Sequence, residues 1–161
     1  MRIVVAGGTG FIGTKLIEQL HQDGHKIHLL SRSEKNPFIH FERVFHHKWD
    51  GENMFAWKNI VNGSDVLINL SGESVLGVRW THRKKKKIYN SRILSTRVLV
   101  NSVLTAKEPP KLFINASGIA ALNDDQNSDN EHNQNFLAKV CVDWEKECQP
   151  LVSTNCRSVI L

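Results

Sequence analysis

The chain opens on an apolar run that gives way at once to three glycines at three-residue spacing. Ile3 to Ala6 runs into Gly7-Gly8-Thr9-Gly10-Phe11-Ile12-Gly13. The segment that follows has helical period, with Ile12, Leu16 and Leu20 on one face. A short continuous apolar run that ends in glycine reads as a strand buried on both faces. Strand, glycine turn and helix in that order point to a dinucleotide site. Gly7 permits the tight turn, Gly10 lets a pyrophosphate approach the backbone, and Gly13 lets the helix pack on the strand. The helix start adds unpaired N–H groups and a partial positive charge that favour phosphate.

The rest of the sequence alternates strand and helix. Strands are expected at Lys26 to Leu30, Arg43 to His47, Asp65 to Leu70, Leu112 to Asn115 and Ser158 to Leu161. Helices are expected at Asn53 to Val61, Thr81 to Ala106 and Phe136 to Cys148. Pro109-Pro110 stops the long one, and a polar loop, Asn123 to Asn135, precedes the last. Such alternation implies an α/β fold of Rossmann type, a doubly wound parallel sheet with helices on both faces. Right-handed crossovers favour the strand order 3-2-1-4-5-6.

At 161 residues with 40% hydrophobic content, a single domain with a full core is expected over residues 1–161. No apolar stretch approaches a membrane span. The sequence starts directly on a strand, so no signal peptide is expected. Cys141, Cys148 and Cys156 are odd in number and lack metal-ligand spacing, which suits thiols in a reducing cytoplasm. The sequence stops at Val159-Ile160-Leu161, inside an apparent strand. That suggests a dinucleotide half whose C-terminal substrate domain is absent.

The glycine motif resembles that of extended and atypical short-chain dehydrogenase/reductases. Further segments narrow the likeness: Asn69-Leu70-Ser71-Gly72-Glu73, Arg79-Trp80-Thr81, Ser91-Arg92, Phe136-Leu137-Ala138, Val140-Cys141 and Trp144-Glu145. Together they resemble the nucleotide-sugar-epimerase-like group called epimerase family protein, over essentially the whole chain. That resemblance implies a nicotinamide cofactor, a second domain of similar size, and a substrate of the nucleotide-linked sugar class.

NAD-specific folds usually place an acid at the end of the second strand, where it bonds the ribose 2′-OH. Here Ser31 and Arg32 stand there. A guanidinium suits a 2′-phosphate, and the resembled family carries Arg at this position, so NADP(H) is favoured over NAD(H). Asp50 either bonds the adenine amino group or serves as a turn residue in Asp50-Gly51. Asn69 to Glu73 belong at the carboxyl edge of the sheet, where ligands bind. Arg92 takes the place of an Asn on the family's catalytic helix and is counted with the cofactor residues.

Active short-chain dehydrogenases pair a Tyr with a Lys four residues on, because the cation lowers the phenol's pKa. The one tyrosine here, Tyr89, has Ile93 at that position. Ser117 matches the family's upstream catalytic serine, but Gly118 to Leu122 offers no hydroxyl. Cys141 stands near the lysine's place and reads as a packed helix residue. The implied function is an NADP(H)-binding reductase or epimerase of doubtful turnover. A non-catalytic cofactor-binding or redox-sensing protein is the first alternative. The second is a nucleic-acid-associated protein using Arg83 to Lys87, a run otherwise read as a solvated helix face. Adjacent His46 and His47 point to opposite faces of a strand and cannot chelate together, so no metal is expected.

Overall fold

A computed structural model of the chain describes residues 1–54, 57–76, 80–118 and 131–161. Six strands form one sheet: β1 (Arg2–Ala6), β2 (Lys26–Ser31), β3 (Val44–Lys48), β4 (Val66–Asn69), β5 (Leu112–Asn115) and β6 (Arg157–Ile160). Their order is β3-β2-β1-β4-β5-β6, and every neighbouring pair is parallel. The helices are α1 (Phe11–Gln22), α2 (Lys58–Val61), α3 (His82–Leu104) and α4 (Glu131–Lys146). The doubly wound fold and its strand order are therefore those the alternation implies.

The apolar run of β1 has a simple physical account. Ile3 and Val5 face one side and pack with Ile17 of α1, Ile27 and Leu29. Val4 and Ala6 face the other side and pack with Leu30, Leu67 and the Leu99–Val103 stretch of α3. With both faces covered, no position from Ile3 to Ala6 tolerates a polar group. Ile3, Val4 and Val5 each contribute about 1.5–3 kcal/mol on burial. The winding reverses between β1 and β4, so a crevice opens above their carboxyl ends.

Four elements depart from the sequence reading. The apolar face of α1 is turned by one residue: Gly13 and Ile17 are buried, Leu16 and Leu20 flank them, and Ile12 is 69% exposed. Gly13 must touch the glycine turn, and that contact sets the helix rotation. The helix expected from Asn53 is a single turn, Lys58–Val61. The buried Trp57 instead meets Trp49 edge-on at 5.5 Å and donates from Nε1 to Asn53 O at 2.7 Å. Five residues earlier than expected, α4 begins at Glu131. A 3₁₀ turn, Gln149–Ser153, follows it and buries Leu151.

Candidate cofactor site

The three glycines divide their labour sharply. Gly7 holds φ +78°, and a Cβ there would sit 2.6 Å from the Leu70 carbonyl. At Gly13 a Cβ would sit 2.4 Å from Gly7 O. Both are demanded by the protein's own backbone. A Cβ on Gly10 would meet only Gly7 O, at 3.3 Å. Its bare face opens on the cavity, and the space there is what a closely approaching phosphate needs. Gly8 is different: it is buried, and a Cβ would strike Leu29 Cδ1 at 2.6 Å.

Gly10 is also the N-cap of α1, with no side chain capping the helix and no acid in its first turn. The N–H groups of Phe11, Ile12 and Gly13 are thus left for an anion. Their side chains do not line the cavity, and that of Phe11 is 95% exposed.

The cavity has a volume of about 510 Å³. Four loops at the carboxyl edge of the sheet and the first turns of α3 enclose it. Gly7, Thr9 and Gly10 form its floor, and Ser31 and Arg32 enter from the end of β2. Ser31 is buried and its Oγ accepts from Ser33 N at 3.1 Å, which bends the chain so that exposed Arg32 stands at the cavity wall. Asp50 and Gly51 close the β3 side. Asp50 accepts from Glu52 N and Asn53 N at 2.8 Å and from Asn53 Nδ2 at 2.7 Å. Those bonds, the Asn53 amide first, hold its carboxyl below the ordinary range. Asp50 is therefore a turn-forming residue as well as a wall residue.

The β4 side is Leu70 to Glu73. Asn69 stays beneath it, fully buried, with Oδ1 accepting from Ser71 N at 3.0 Å. Arg92 does not line the cavity either. It lies 3.0 Å from where a Gly72 Cβ would be, donates to Glu73 O at 3.0 Å and covers the Trp144 ring at 5.2 Å. It supports the loop from behind. Glu73 pairs with Lys84 at 2.8 Å, and that ammonium holds its carboxyl below the usual range, with smaller help from Arg32 and Lys87.

The basic run is split three ways. Arg83, Lys86 and Lys87 line the cavity, Lys84 engages Glu73, and Lys85 lies over the Phe136 ring at 5.3 Å. It forms no continuous basic stripe, and its exposed cations face the cavity rather than open solvent alone. Sequence reasoning missed this, although the spacing 83, 86, 87, 90 is a helical face.

Ser117 lies outside the cavity wall. Its Oγ donates to Glu145 Oε1 at 2.5 Å. Cys141 is buried beside Gly118, where a Cβ would come within 3.1 Å of its sulfur. Ile119 to Leu122 and Arg79 lie outside the described residues. Tyr89 donates to Asp143 Oδ2 at 3.1 Å and thereby ties α3 to α4. Burial, then Asp143, pushes its phenol above the ordinary range. Among the described residues, no group of three metal-ligating side chains gathers, and no helix is long and apolar enough to cross a membrane.

The family model described as "NAD dependent epimerase/dehydratase family" matches residues 3–144. The chain belongs to that family. The epimerase family protein YfhF of Bacillus subtilis is 32% identical to this chain over 168 residues, covering 99% of the chain and 53% of YfhF. The human epimerase family protein SDR39U1 is 31% identical over 126 residues, covering 74% of the chain and 38% of that protein. A solved structure of human SDR39U1 isoform 2 with NADPH superposes with a TM-score of 0.76 at 28% identity, covering 99% of this chain and 52% of that one. A UDP-Glc/GlcNAc 4-epimerase from Campylobacter jejuni, 16% identical, shares the fold with a TM-score of 0.76. The chain spans about half the length of the relatives it matches.

Proposed function

We propose that this chain binds NADP(H) in the cavity above β1 and β4, as the dinucleotide-binding half of a reductase or epimerase acting on a nucleotide-linked sugar. The observation that carries the reading is one cavity onto which both the bare face of Gly10 and the guanidinium of Arg32 open. Gly10 and the N–H groups of Phe11 to Gly13 would hold the pyrophosphate. Arg32 would take the 2′-phosphate through paired charge-assisted hydrogen bonds, at the position where an NAD-binding fold carries an acid. Thr9 and Leu70 to Gly72 would border the ribose on the nicotinamide side. When bound, the nicotinamide supplies or accepts a hydride. The human relative solved with NADPH supports the phosphorylated cofactor, and the nucleotide-sugar epimerase among the fold's neighbours supports the substrate class.

The test is calorimetric titration with NADPH and NADH. The wild-type chain is expected to prefer NADPH, and Arg32→Ala to lower that preference by about tenfold or more, the value of a charge-assisted pair. Equal losses for both cofactors would show that Arg32 does not read the phosphate.

A further inference from the structure

A second group of cations shares the cavity, and it comes from a different element. Arg83, Lys86 and Lys87 fall at i, i+3 and i+4 on α3, so they share one helical face, and all three line the cavity wall. None of the three is held in an ion pair: among the described residues, none lies within 4.0 Å of a carboxylate. Of the three acids on the same wall, Glu52 is exposed and forms no ion pair with these cations among the described residues, and the other two are already engaged. Glu73 pairs with Lys84, and both oxygens of Asp50 accept hydrogen bonds from its own turn.

The position of these cations runs against helix physics. They occupy the first turns of α3, where no acid stands and where the macrodipole disfavours positive charge. Thr81 caps the helix by accepting from Lys84 N at 3.2 Å, so the end is conventionally made and the cations do nothing for it. An anion in the cavity would relieve their mutual repulsion. Arg32 of the β2 loop lines the same cavity as these three α3 cations, so the two cation groups share one space.

We infer that Arg83, Lys86 and Lys87 of α3 form a second cationic wall that, together with Arg32, selects the 2′-phosphate of NADP(H). The inference rests on the cofactor reading above and adds to it specificity-determining residues 51 to 55 positions beyond Arg32 in the chain. It makes the choice of cofactor a property of α3 as well as of the β2 loop.

The probes are adenosine 2′,5′-bisphosphate and AMP, which differ only in the 2′-phosphate. Their affinities are to be measured for the wild-type chain, for R83Q/K86Q/K87Q, and for a charge-matched control with glutamine at Lys58, Lys107 and Lys111, all exposed and outside the cavity wall. The wall variant is expected to lose about tenfold or more in the ratio of bisphosphate to AMP affinity, and the control to keep the wild-type ratio. An unchanged ratio in a wall variant that still binds NADPH overturns the inference and leaves the cofactor reading standing. Equal weakening of both nucleotides also overturns it, because the cations would then act on the shared phosphate. A wild-type chain that binds neither nucleotide nor NADPH overturns both readings. Thermal melting of each variant checks that it is folded.

Discussion

Asn69 Nδ2 donates to Asn115 Oδ1 at 2.7 Å, and both side chains are fully buried. The two residues are register partners at the carboxyl ends of β4 and β5. The same amide donates to Thr96 Oγ1 at 2.8 Å, and Thr96 Oγ1 accepts from Trp144 Nε1 at 2.6 Å. One polar network thus locks two strands to α3 and α4 directly beneath the Leu70–Glu73 loop. In so dry a place each member depends on the others. Asn115→Leu leaves an Asn69 N–H without its acceptor and is expected to cost about 1–3 kcal/mol. Urea unfolding reads it, and an unchanged midpoint would show that the network does not hold the fold.

The glycines give a prediction with two opposite outcomes. A side chain at Gly10 meets little protein, and φ −78° with ψ 178° there is open to any residue. Gly10→Val is expected to fold with a modest loss of stability and to lose NADPH binding. Gly13→Val drives a side chain into Gly7 O and Gly8, so it is expected to lose about 1–3 kcal/mol or more of stability through overpacking. Melting temperatures and calorimetric titration separate the two. Full NADPH affinity in a folded Gly10→Val chain would remove the turn from the cofactor site.

Much of this architecture is legible in the sequence because it is local. The apolar run at Ile3, the glycine spacing and the bounds of β5 at Leu112 and Asn115 follow from patterns a few residues wide. What stays hidden depends on contacts across the chain. The Asn53 region reads as helical, yet the burial of Trp57 against Trp49 outweighs helix propensity there. Asn69 reads as a cavity residue, yet its partners Thr96 and Asn115 lie 27 and 46 positions away. The basic run reads as a solvated face, because sequence shows its spacing but not that Lys84 meets Glu73 and that Arg83, Lys86 and Lys87 line the same cavity as Arg32.

The histidines on the sheet predict an acid sensitivity. His28 Nδ1 lies 2.9 Å from His47 Nε2, and Arg2 Nε donates to His28 Nε2 at 3.4 Å. With Arg2 donating to Nε2, the His28 proton belongs on Nδ1 and points at His47. A second proton on either ring would face an existing N–H. Burial first, then Arg2, lowers the His28 pKa to about 4, and burial lowers His47 as well. A depressed histidine binds its proton more readily when unfolded. The stability it contributes is complete above the ordinary value of 6.5 and is lost as pH falls from there toward 4. His28→Gln keeps one donor and one acceptor without titrating. Its loss of stability between those pH values is expected to be smaller than the wild type's by about 1–2 kcal/mol, after allowing for solvent at the ring edge. Parallel pH profiles from denaturant unfolding would exclude His28 as the cause.

Turnover is the last expectation, and it follows from where the hydroxyl protons go. Reducing a carbonyl puts a hydride on carbon and a proton on oxygen, so some group must donate that proton. The proton on Ser117 is directed at Glu145 Oε1 across 2.5 Å, and that on Tyr89 at Asp143. The Tyr89 phenol, raised by burial and by Asp143, is also a poorer acid than an ordinary tyrosine. Neither residue lines the cavity that would hold the cofactor. The 161-residue chain is therefore expected to bind NADPH and to oxidise it slowly, roughly a hundred- to ten-thousand-fold below an enzyme with positioned acid–base help. The measurement is loss of the reduced-nicotinamide absorbance against a panel of carbonyl compounds and nucleotide sugars. Ser117→Ala is expected to leave that slow rate as it is. A fast reaction that Ser117→Ala reduces by about a hundredfold would instead make Ser117 a catalytic residue, with its proton released from Glu145 when substrate arrives.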